Sequence, residues 1–354
     1  MAESADAGWT IRPSNASDTD PLIELFRAAF GRSITSAHWQ WKLQHLSAPV
    51  ANDWIALDGN RPIFHSGGIP IRYQLPTGEV TGMVSVDTMT APEYRRRGLL
   101  TQVGQQMYSA WREGGIPFVI GLINDQWGSR APALGWQPLF PLRWLIRPLR
   151  PAAILARRLR VSGAAQLRLI DSLWNSVLDT RTPMDSSLQV RLLDRAGSEV
   201  NEVWKRCQQE AGVSIVRDSA WVNWRYRDCP SFPYQVLLVE RAGMPVAYAA
   251  FRVERTPRST LGYIAELLGP RHEPAVMGTL IRQTLAQLRA AGAELAAAQV
   301  PSGTWYYAAL RRAGFVWTWG DFSVQLVPLD ASVPMDFLRN QANWTMWGGD
   351  YDSI

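Results

Sequence analysis

Three consecutive arginines stand directly before a glycine in the stretch "TAPEYRRRGLL", residues 90–100. The preceding residues, 80–90, are predicted to form a strand, and a helix is predicted to begin at Leu99. The first main-chain amides of a helix have no carbonyl partner, and the helix dipole adds positive charge there. Gly98 lets an anion approach the backbone without a Cβ in the way, and arginine side chains can add charge-assisted hydrogen bonds. The stretch therefore predicts a pyrophosphate site, and the alternative is a solvated basic turn.

The elements that must position this loop follow from local patterns. Leu99, Val103, Met107 and Trp111 recur every four residues and predict a helix with one apolar stripe, ended by Gly114-Gly115. The other predicted elements of the first half are a helix at 21–30, strands at 53–57, 63–75 and 80–90, and a buried strand at 116–123. The predicted order is helix, three antiparallel strands, helix, buried strand, helix and strand.

A repeat divides the chain. Trp41-Lys42 is followed by Pro62, and Trp224-Arg225 by Pro245, at the same spacing of 21 residues from the tryptophan. This shared spacing predicts that one architecture is used twice. The predicted boundaries are a first domain at 1–150, a basic Pro/Arg-rich connector at 151–184, a second domain at 185–330 and a C-terminal tail at 331–354.

The motif "TMTAPEYRRRGLL" resembles the acetyl-CoA-binding motif of the GNAT acyltransferase superfamily, a strand and a proline-containing loop followed by Arg/Gln-x-x-Gly-x-Gly/Ala. Arg95 matches the first position and Gly98 the first glycine, whereas Leu100 stands in the last position. The form "RRRGLL" resembles the mycobacterial Eis-type acetyltransferases, in which a degenerate second GNAT domain follows the first. This resemblance implies an α+β fold of tandem GNAT-like domains, each a mixed, mostly antiparallel sheet flanked by helices.

The same resemblance implies an acetyl-CoA or other acyl-CoA site, with no metal. The strand is expected to bulge near Thr88, Met89 and Thr90, so that its freed backbone groups hold the pantetheine arm and polarise the thioester carbonyl. Asn124 is expected at the mouth of a slot where the next strand diverges. The residues expected to hold the diphosphate are Arg95, Arg96, Arg97, Gly98, Leu99, Leu100 and Thr101.

Amine acylation needs a deprotonated amine and a proton for the departing thiolate. GNAT enzymes commonly supply that proton from a tyrosine in the pattern Asn-x6-Tyr-x3-Gly-Phe, but "NDQWGSRAPALGW" puts Ala131 in that position. Ser129 or a water could replace it, or the thiolate could leave unassisted, because a thiol pKa is near ~8.5. Asp87 and Asp125 are the candidate bases, and the alternative for Asp87 is an ordinary strand-edge or solvent-facing carboxylate.

The second half lacks an Arg-x-x-Gly sequence. In the corresponding place it reads "AELLGPRHEPAVMGTLI", with Arg271-His272 as the basic residues. Its predicted role is structural, covering the first domain and shaping the acceptor pocket. Trp41-Lys42 and Trp224-Arg225 are predicted to anchor a helix to the sheet in each repeat. The segment after 331, rich in Trp and Asp, has a composition that would allow it to fold back over the slot.

Charge and composition bound the remaining classes. The net charge is +5, but residues 126–170 hold eight arginines and no acidic residue, so the basicity is local and nucleic-acid binding is not expected. Residues 142–160 mix arginines with Leu, Ile and Trp. Contact with a membrane surface is one interpretation of this segment, and a solvated connector interrupted by prolines is the favoured one.

The four histidines show no metal-ligand spacing. The acidic N-terminus is unlike a secretion signal, so we expect a cytoplasmic protein.

These observations together predict an N-acyltransferase. It would move an acetyl or other short acyl group from acyl-CoA to a primary amine of a small molecule by direct transfer. One alternative is a non-catalytic CoA-binding or scaffold module. A second alternative is an aminoacyl or peptidoglycan-type transferase, which would bind charged tRNA. The acceptor and the oligomeric state are left open by the sequence.

Overall fold

The structure, a computed structural model, describes residues 8–44, 46, 48–123, 131–159, 168–257, 259–318, 320 and 322–351. The chain forms two compact units. The first comprises Met1–Tyr73, Glu79–Leu139 and Ser323–Asp336, and the second comprises Gln74–Gly78, Phe140–Phe322 and Phe337–Ile354.

The chain contains both helices and strands, in several runs of like elements. The elements as far as residue 148 are β1 Thr10–Pro13, α1 Thr19–Phe30, α2 Ser36–Leu43, β2 Asp53–Asp58, β3 Arg61–Leu75, β4 Gly78–Thr90, α3 Leu99–Glu113, β5 Phe118–Ile123 and β6 Gln137–Pro148. The later elements are α4 Pro151–Leu159, α5 Arg168–Asp179, β7 Leu188–Leu193, α6 Ser198–Cys207, β8 Val213–Ile215, α7 Ser219–Val222, β9 Gln235–Arg241, β10 Met244–Arg255, β11 Thr260–Leu268, α8 Pro274–Ala290, β12 Leu295–Pro301, α9 Trp305–Arg312, β13 Val316–Trp317, β14 Phe322–Pro328, α10 Met335–Arg339 and β15 Trp344–Thr345.

The first unit has a mixed sheet in the order β1-β2-β3-β4-β5-β14. β1 and β3 are antiparallel to β2, β5 is parallel to β4, and β14 is antiparallel to β5. The predicted helix and strands around the arginine loop are confirmed. The predicted apolar stripe of α3 is buried, and Met107 and Trp111 pack with Met83 of β4 and Val119 of β5 in the core of this unit.

The second unit has a sheet in the order β6-β12-β11-β10-β9-β7. The meander β9-β10-β11 is antiparallel, α8 connects β11 to the parallel strand β12, and β6 is antiparallel to β12. Apolar residues of α8, including Leu280, Leu285 and Leu288, form its core together with Phe251 and Phe315. Both units are therefore mixed, mostly antiparallel sheets with flanking helices, and both contain a meander, a helix and a parallel strand in the same order.

The last strand of each sheet comes from a different part of the chain than the sequence boundaries predict. β14 pairs with β5 in the first unit although residues 322–328 lie within the predicted second domain. Conversely, Leu142–Pro148 of β6 pairs with β12 although it lies within the predicted first domain. Both strands pair antiparallel, and either one supplies the amides and carbonyls that the edge of β5 or β12 requires. The order of the strands along the chain therefore does not reveal which of them, β6 or β14, pairs with β5 and which pairs with β12.

Three further segments differ from the sequence interpretation. The first half of 142–160 is not an amphipathic surface segment, because Leu142 and Leu145 are fully buried in β6. The predicted connector contains the helices α4 and α5. The predicted tail is part of a core, since the fully buried Trp347 packs in the second unit. Within the described residues, no helix combines the length and the apolar composition required to cross a membrane.

Candidate functional site

The arginine loop joins β4 to α3 through one short turn. A 3-10 turn covers Pro92–Tyr94, and α3 begins at Leu99. Arg96 and Gly98 have φ values of 67° and 81°, in the left-handed region, which glycine adopts without steric cost. The amides of Thr101 and Gln102 donate to the carbonyl of Gly98 at 3.0 and 3.1 Å. Gly98 therefore ends the loop and opens the helix.

The amides of this loop are available to a ligand. Throughout the described parts of the chain, no hydrogen bond joins the main-chain amides of residues 96–100 to a protein acceptor. Leu99 is buried in the core and Leu100 is half-buried. The amides at the start of α3 carry the positive end of the helix dipole, so an anion placed before this helix would be stabilised.

The three arginines are exposed beside these amides. The guanidinium of Arg97 lies 4.9 Å from the ring centroid of Tyr94, and Nη2 of Arg95 donates to the carbonyl of Ala29 at 3.3 Å. The acidic residue of the loop, Glu93, forms an ion pair with Arg61 at 2.5 Å. Hydrogen bonds from its own amide and from Arg61 lower the pKa of Glu93, so this carboxylate is charged and already paired at neutral pH. Because Glu93 is paired with Arg61, the positive charge of the three loop arginines can act on a ligand.

The strand before the loop is irregular where the resemblance predicts a bulge. In the parallel pairing of β4 with β5, Met83 is paired with Val119 and Val84 with Ile120. Strand β4 continues beyond these pairs to Thr90. Asp87 has a φ of 47°, which places the irregular residue one position before the predicted Thr88. A residue of this conformation turns the backbone groups that follow it away from the regular ladder.

Side chains around this irregularity are fixed by polar contacts. Nδ1 of His65 lies 2.9 Å from the carbonyl oxygen of Asp87 and therefore donates to it. The hydroxyls of Ser66 and Thr88 are 2.9 Å apart, and Met89 is buried. These contacts come from β3, so the position of residues 87–89 is determined by the neighbouring strand.

Asp87 is neither solvent-facing nor arranged as an exposed base. Its Oδ2 lies 2.6 Å from Nζ of Lys42, and both side chains are buried. Lys42 belongs to α2, so the ion pair joins this helix to β4 and agrees with the anchoring role predicted for Trp41-Lys42. A proton acceptor for a substrate amine needs a free lone pair within reach of the substrate. The placement of Asp87 instead fits a structural role, which the sequence could not reveal because residues 42 and 87 are far apart.

Three further candidates are the catalytic residues Asp125 and Ser129 and the donor-binding residue Asn124. Asn124, Asp125 and Ser129 lie outside the described residues. Ala131 begins a 3-10 turn, Ala131–Leu134, where the sequence pattern predicts a helix. No group of three or more His, Cys, Asp or Glu side chains within the described residues is arranged to hold a metal ion.

A cavity of about 380 Å³ in the first unit lies away from the loop. It is lined by the second half of α3, including Gln105 and Arg112, and by Leu329, whereas the arginine loop precedes the first turn of the same helix. Nε of Arg112 donates to the carbonyl of Leu329 at 2.9 Å and closes one wall. We therefore do not assign this cavity to the anion site.

The second unit fills the corresponding place with its own chain. Its parallel register ends at Ile264 with Ala298. Beyond that point, Gly349 packs so closely that a Cβ would lie 2.6 Å from the carbonyl oxygen of Ala265. Nε of Arg225 donates to the carbonyl of Gly349 at 2.7 Å. Arg225, one residue of the predicted helix-to-sheet anchor, thus holds the C-terminal segment.

Buried charges complete this contact in the second unit. The guanidinium of Arg217 forms ion pairs with Glu266 of β11 and with Asp350, the latter at 2.7 Å. Burial raises the pKa of Asp350, and the ion pair with Arg217 opposes this shift. In addition, the hydroxyls of Tyr226 and Tyr248 donate to Glu266. A slot between β11 and β12 is therefore closed by residues 348–350.

A cavity of about 400 Å³ lies before α8 of the second unit. Its lining includes Arg271 and His272, the basic pair singled out in the sequence, together with Trp305 and Arg312 of α9. The amide of Arg271 donates to Glu210 at 2.9 Å, so this loop already has an acidic protein partner. In this respect it differs from the arginine loop of the first unit.

Comparisons with known proteins agree with this geometry. Residues 10–122 match the profile of the acetyltransferase (GNAT) domain. Among solved structures, a GCN5-related N-acetyltransferase from Anabaena variabilis ATCC 29413 is 13% identical, with a TM-score of 0.65 over 91% of this chain and 73% of that one. A GCN5-related N-acetyltransferase from Kribbella flavida is 12% identical, with a TM-score of 0.62 over 90% and 70%.

A third similar structure, a conserved protein of unknown function and probable N-acyltransferase from Enterococcus faecalis V583, is 10% identical, with a TM-score of 0.64 over 91% and 73%. At these identities the likeness shows a shared fold. No protein of curated function matches the chain in sequence. The matched profile spans β1 to β5, including the irregular strand, the arginine loop and α3. Residues 10–122 are therefore similar in sequence to the GNAT acetyltransferase domain, and the fold of the chain is that of the GCN5-related N-acetyltransferases.

Proposed function

We propose that the first unit binds acyl-CoA at the arginine loop and transfers the acyl group to a primary amine of a small molecule. The diphosphate of the donor would accept hydrogen bonds from the amides of residues 96–100. Arg96 and Arg97 would neutralise its charge. The pantetheine arm would run along Thr88, Met89 and Thr90, beyond the last registered pair of β4 and β5.

The reaction is a direct transfer. The nitrogen of the amine attacks the thioester carbonyl carbon, a C–N bond forms and the C–S bond breaks. The amine gives up one proton and the coenzyme A thiolate takes up one, so atoms and charge balance. Backbone amides near the irregularity at Asp87 would stabilise the negative charge that develops on the carbonyl oxygen. Asp125 or a water would accept the amine proton, and Ser129 or a water would donate a proton to the departing thiolate.

The observation that carries the proposal is the unused hydrogen-bonding capacity of the loop. Five consecutive amides without a protein acceptor, in the described chain, lie beside three exposed arginines. The acidic residue of the loop is paired with Arg61, outside the arginine triplet. Such a concentration of donors and positive charge at a helix start matches a diphosphate.

Calorimetry with acetyl-CoA tests the binding step. The variant Arg96→Ala plus Arg97→Ala removes two charge-assisted contacts, each worth ~1.5 to 3 kcal/mol, so we expect affinity to fall at least about a hundredfold. The matched control is Arg206→Ala plus Arg255→Ala, which removes two exposed arginines from the second unit. Equal affinities for the two double variants would contradict the proposed site.

Turnover distinguishes a transferase from a binding module. Free-thiol release is measured with acetyl-CoA and a panel of amino sugars, polyamines and amino-acid amines. An enzyme releases coenzyme A continuously with at least one amine, whereas a CoA-binding or scaffold module binds acetyl-CoA and never turns over. An aminoacyl or peptidoglycan-type transferase would instead bind charged tRNA, which a filter-binding assay detects.

A further inference from the structure

Helix α5, Arg168–Asp179, is docked on the second unit by its polar side. Asp171, Asn175 and Asp179 recur every four residues and face the protein, where Asn175 is buried. On the other side of the same helix five apolar residues are exposed, flanked by the exposed Ser172 and Ser176. An ordinary surface helix buries its apolar stripe, whereas α5 leaves its stripe exposed and buries a single apolar residue, Leu178, beside its polar side.

The polar side is held by specific contacts. Nη2 of the fully buried Arg147 donates to Asp179 at 2.8 Å and to Asn175 at 3.2 Å. Nδ2 of Asn175 donates to the carbonyl of Leu149 at 2.8 Å, and Asp171 accepts a hydrogen bond from the amide of Ala152 at 2.8 Å. Because a buried arginine and two carboxylates lock the helix by this side, rotating α5 to hide its apolar side would leave Arg147 without an acidic partner.

The outward side is a continuous apolar stripe. Leu169, Leu173 and Val177, spaced four residues apart, are 78%, 67% and 50% exposed. Ile170 and Trp174 are 54% and 40% exposed and widen the stripe, and Leu155 of the neighbouring helix α4 is 56% exposed. Single exposed apolar residues need no explanation, but an apolar stripe along one helix indicates an interaction surface.

We propose that this stripe, with Leu155, docks on a membrane surface that carries anionic lipid headgroups. The surrounding charge is positive. The exposed arginines Arg150, Arg158 and Arg181 lie on or next to α4 and α5, and the sequence has no acidic residue from 126 to 170. The two aspartates of α5 are engaged on its inner side. Apolar residues with a tryptophan, bordered by arginines, suit an interface where acyl chains meet negatively charged headgroups.

A second copy of the chain fits this surface less well. Association about a two-fold axis brings the same patch of each copy together. Such an interface would contain the arginines of both copies, and their mutual repulsion would oppose the contact. An anionic lipid surface instead satisfies both the apolar side chains and the positive charge. This inference is independent of acyl transfer by the first unit.

Vesicle flotation of the full chain tests the proposal, with phosphatidylcholine vesicles and with vesicles of phosphatidylcholine and phosphatidylglycerol. We expect binding to the anionic vesicles, weakened by salt. The variant Leu173→Ser plus Val177→Ser removes apolar area without changing charge, and its partition coefficient should fall at least about tenfold. The matched control Leu192→Ser plus Met244→Ser removes two exposed apolar side chains elsewhere in the second unit and should bind as the unaltered protein does.

Circular dichroism verifies that the stripe variant keeps its helices, and light scattering gives its oligomeric state. Failure of the unaltered protein to bind anionic vesicles would overturn the proposal. So would equal loss of binding in the stripe variant and the control. A dimer that the stripe variant converts to a monomer would assign the surface to a second copy instead.

Discussion

Nζ of Lys42 lies 2.6 Å from Oδ2 of Asp87, and both side chains are buried. This ion pair joins α2 to β4 at the residue where the strand leaves its regular conformation, with a φ of 47°. The backbone groups of Thr88 to Thr90, proposed to face the thioester, follow directly from this point. The ion pair therefore positions the strand that the proposed reaction uses.

Removal of either charge should destabilise the first unit strongly. Asp87→Asn leaves the buried ammonium of Lys42 without a counter-ion, and loss of one partner of a buried ion pair costs about 3 to 5 kcal/mol. The variant Lys42→Met plus Asp87→Leu removes both charges and should recover much of that loss. Urea unfolding measures the difference. If Asp87→Asn kept full stability and lost only turnover, Asp87 would be the base and the structural role would be wrong.

The sequence predicts individual helices, strands and turns well because each is indicated by residues that are close together in the chain. The apolar stripe of α3 and the strands before the arginine loop appear where periodicity and turn residues indicate them. Three arginines and Gly98 predict the loop itself, and the left-handed φ of 81° at Gly98 is a conformation that glycine adopts readily. These features depend on residues within a few positions of one another.

Long-range pairings could not be predicted in this way. Asp87 and Lys42 meet only after α2 has packed on β4, and neither residue carries a local signal for the other. The pairings of β6 and β14 could not be predicted for the same reason. Both strands have an apolar pattern that suits a position beside β5 or beside β12, so the sequence does not show which strand joins which sheet. The sequence predicts a C-terminal tail because composition does not reveal that Trp347 is fully buried.

Acetyl-CoA binding should weaken as the salt concentration rises. The proposed site attracts the diphosphate with exposed arginines, and at ~1 M ionic strength the screening length falls to about 3 Å. Titrations of the unaltered protein at low and high sodium chloride concentration should show a steep loss of affinity, and Arg96→Ala plus Arg97→Ala should show a shallower one. Affinity independent of salt would argue for a site formed by apolar contacts alone.

Gly349→Ala should destabilise the second unit. A Cβ at this position would clash with the hydroxyl of Tyr226 and would lie 2.6 Å from the carbonyl oxygen of Ala265, so the segment must move. Overpacking of this kind costs about 1 to 3 kcal/mol. Gly8→Ala is the matched control, since a Cβ there meets no atom within 4 Å. Equal midpoints of urea unfolding for the two variants would show that residues 348–350 do not fill the second unit in solution.

The thiol of Cys207 should be unreactive in the folded protein. Burial raises its pKa from 9.0 to about 12, so at pH 8 the reactive thiolate is about a thousandfold scarcer than in an unfolded chain. In a Cys229→Ala variant, a thiol reagent should label Cys207 at least about a thousandfold faster in urea than in buffer, which also keeps this thiol silent in the coenzyme A release assay. Because the folded state holds the proton more tightly, its contribution to stability is present below pH 9.0 and is lost as the pH rises towards about 12. Labelling of the folded variant at nearly the unfolded rate would contradict the burial of Cys207 against the core of the second unit.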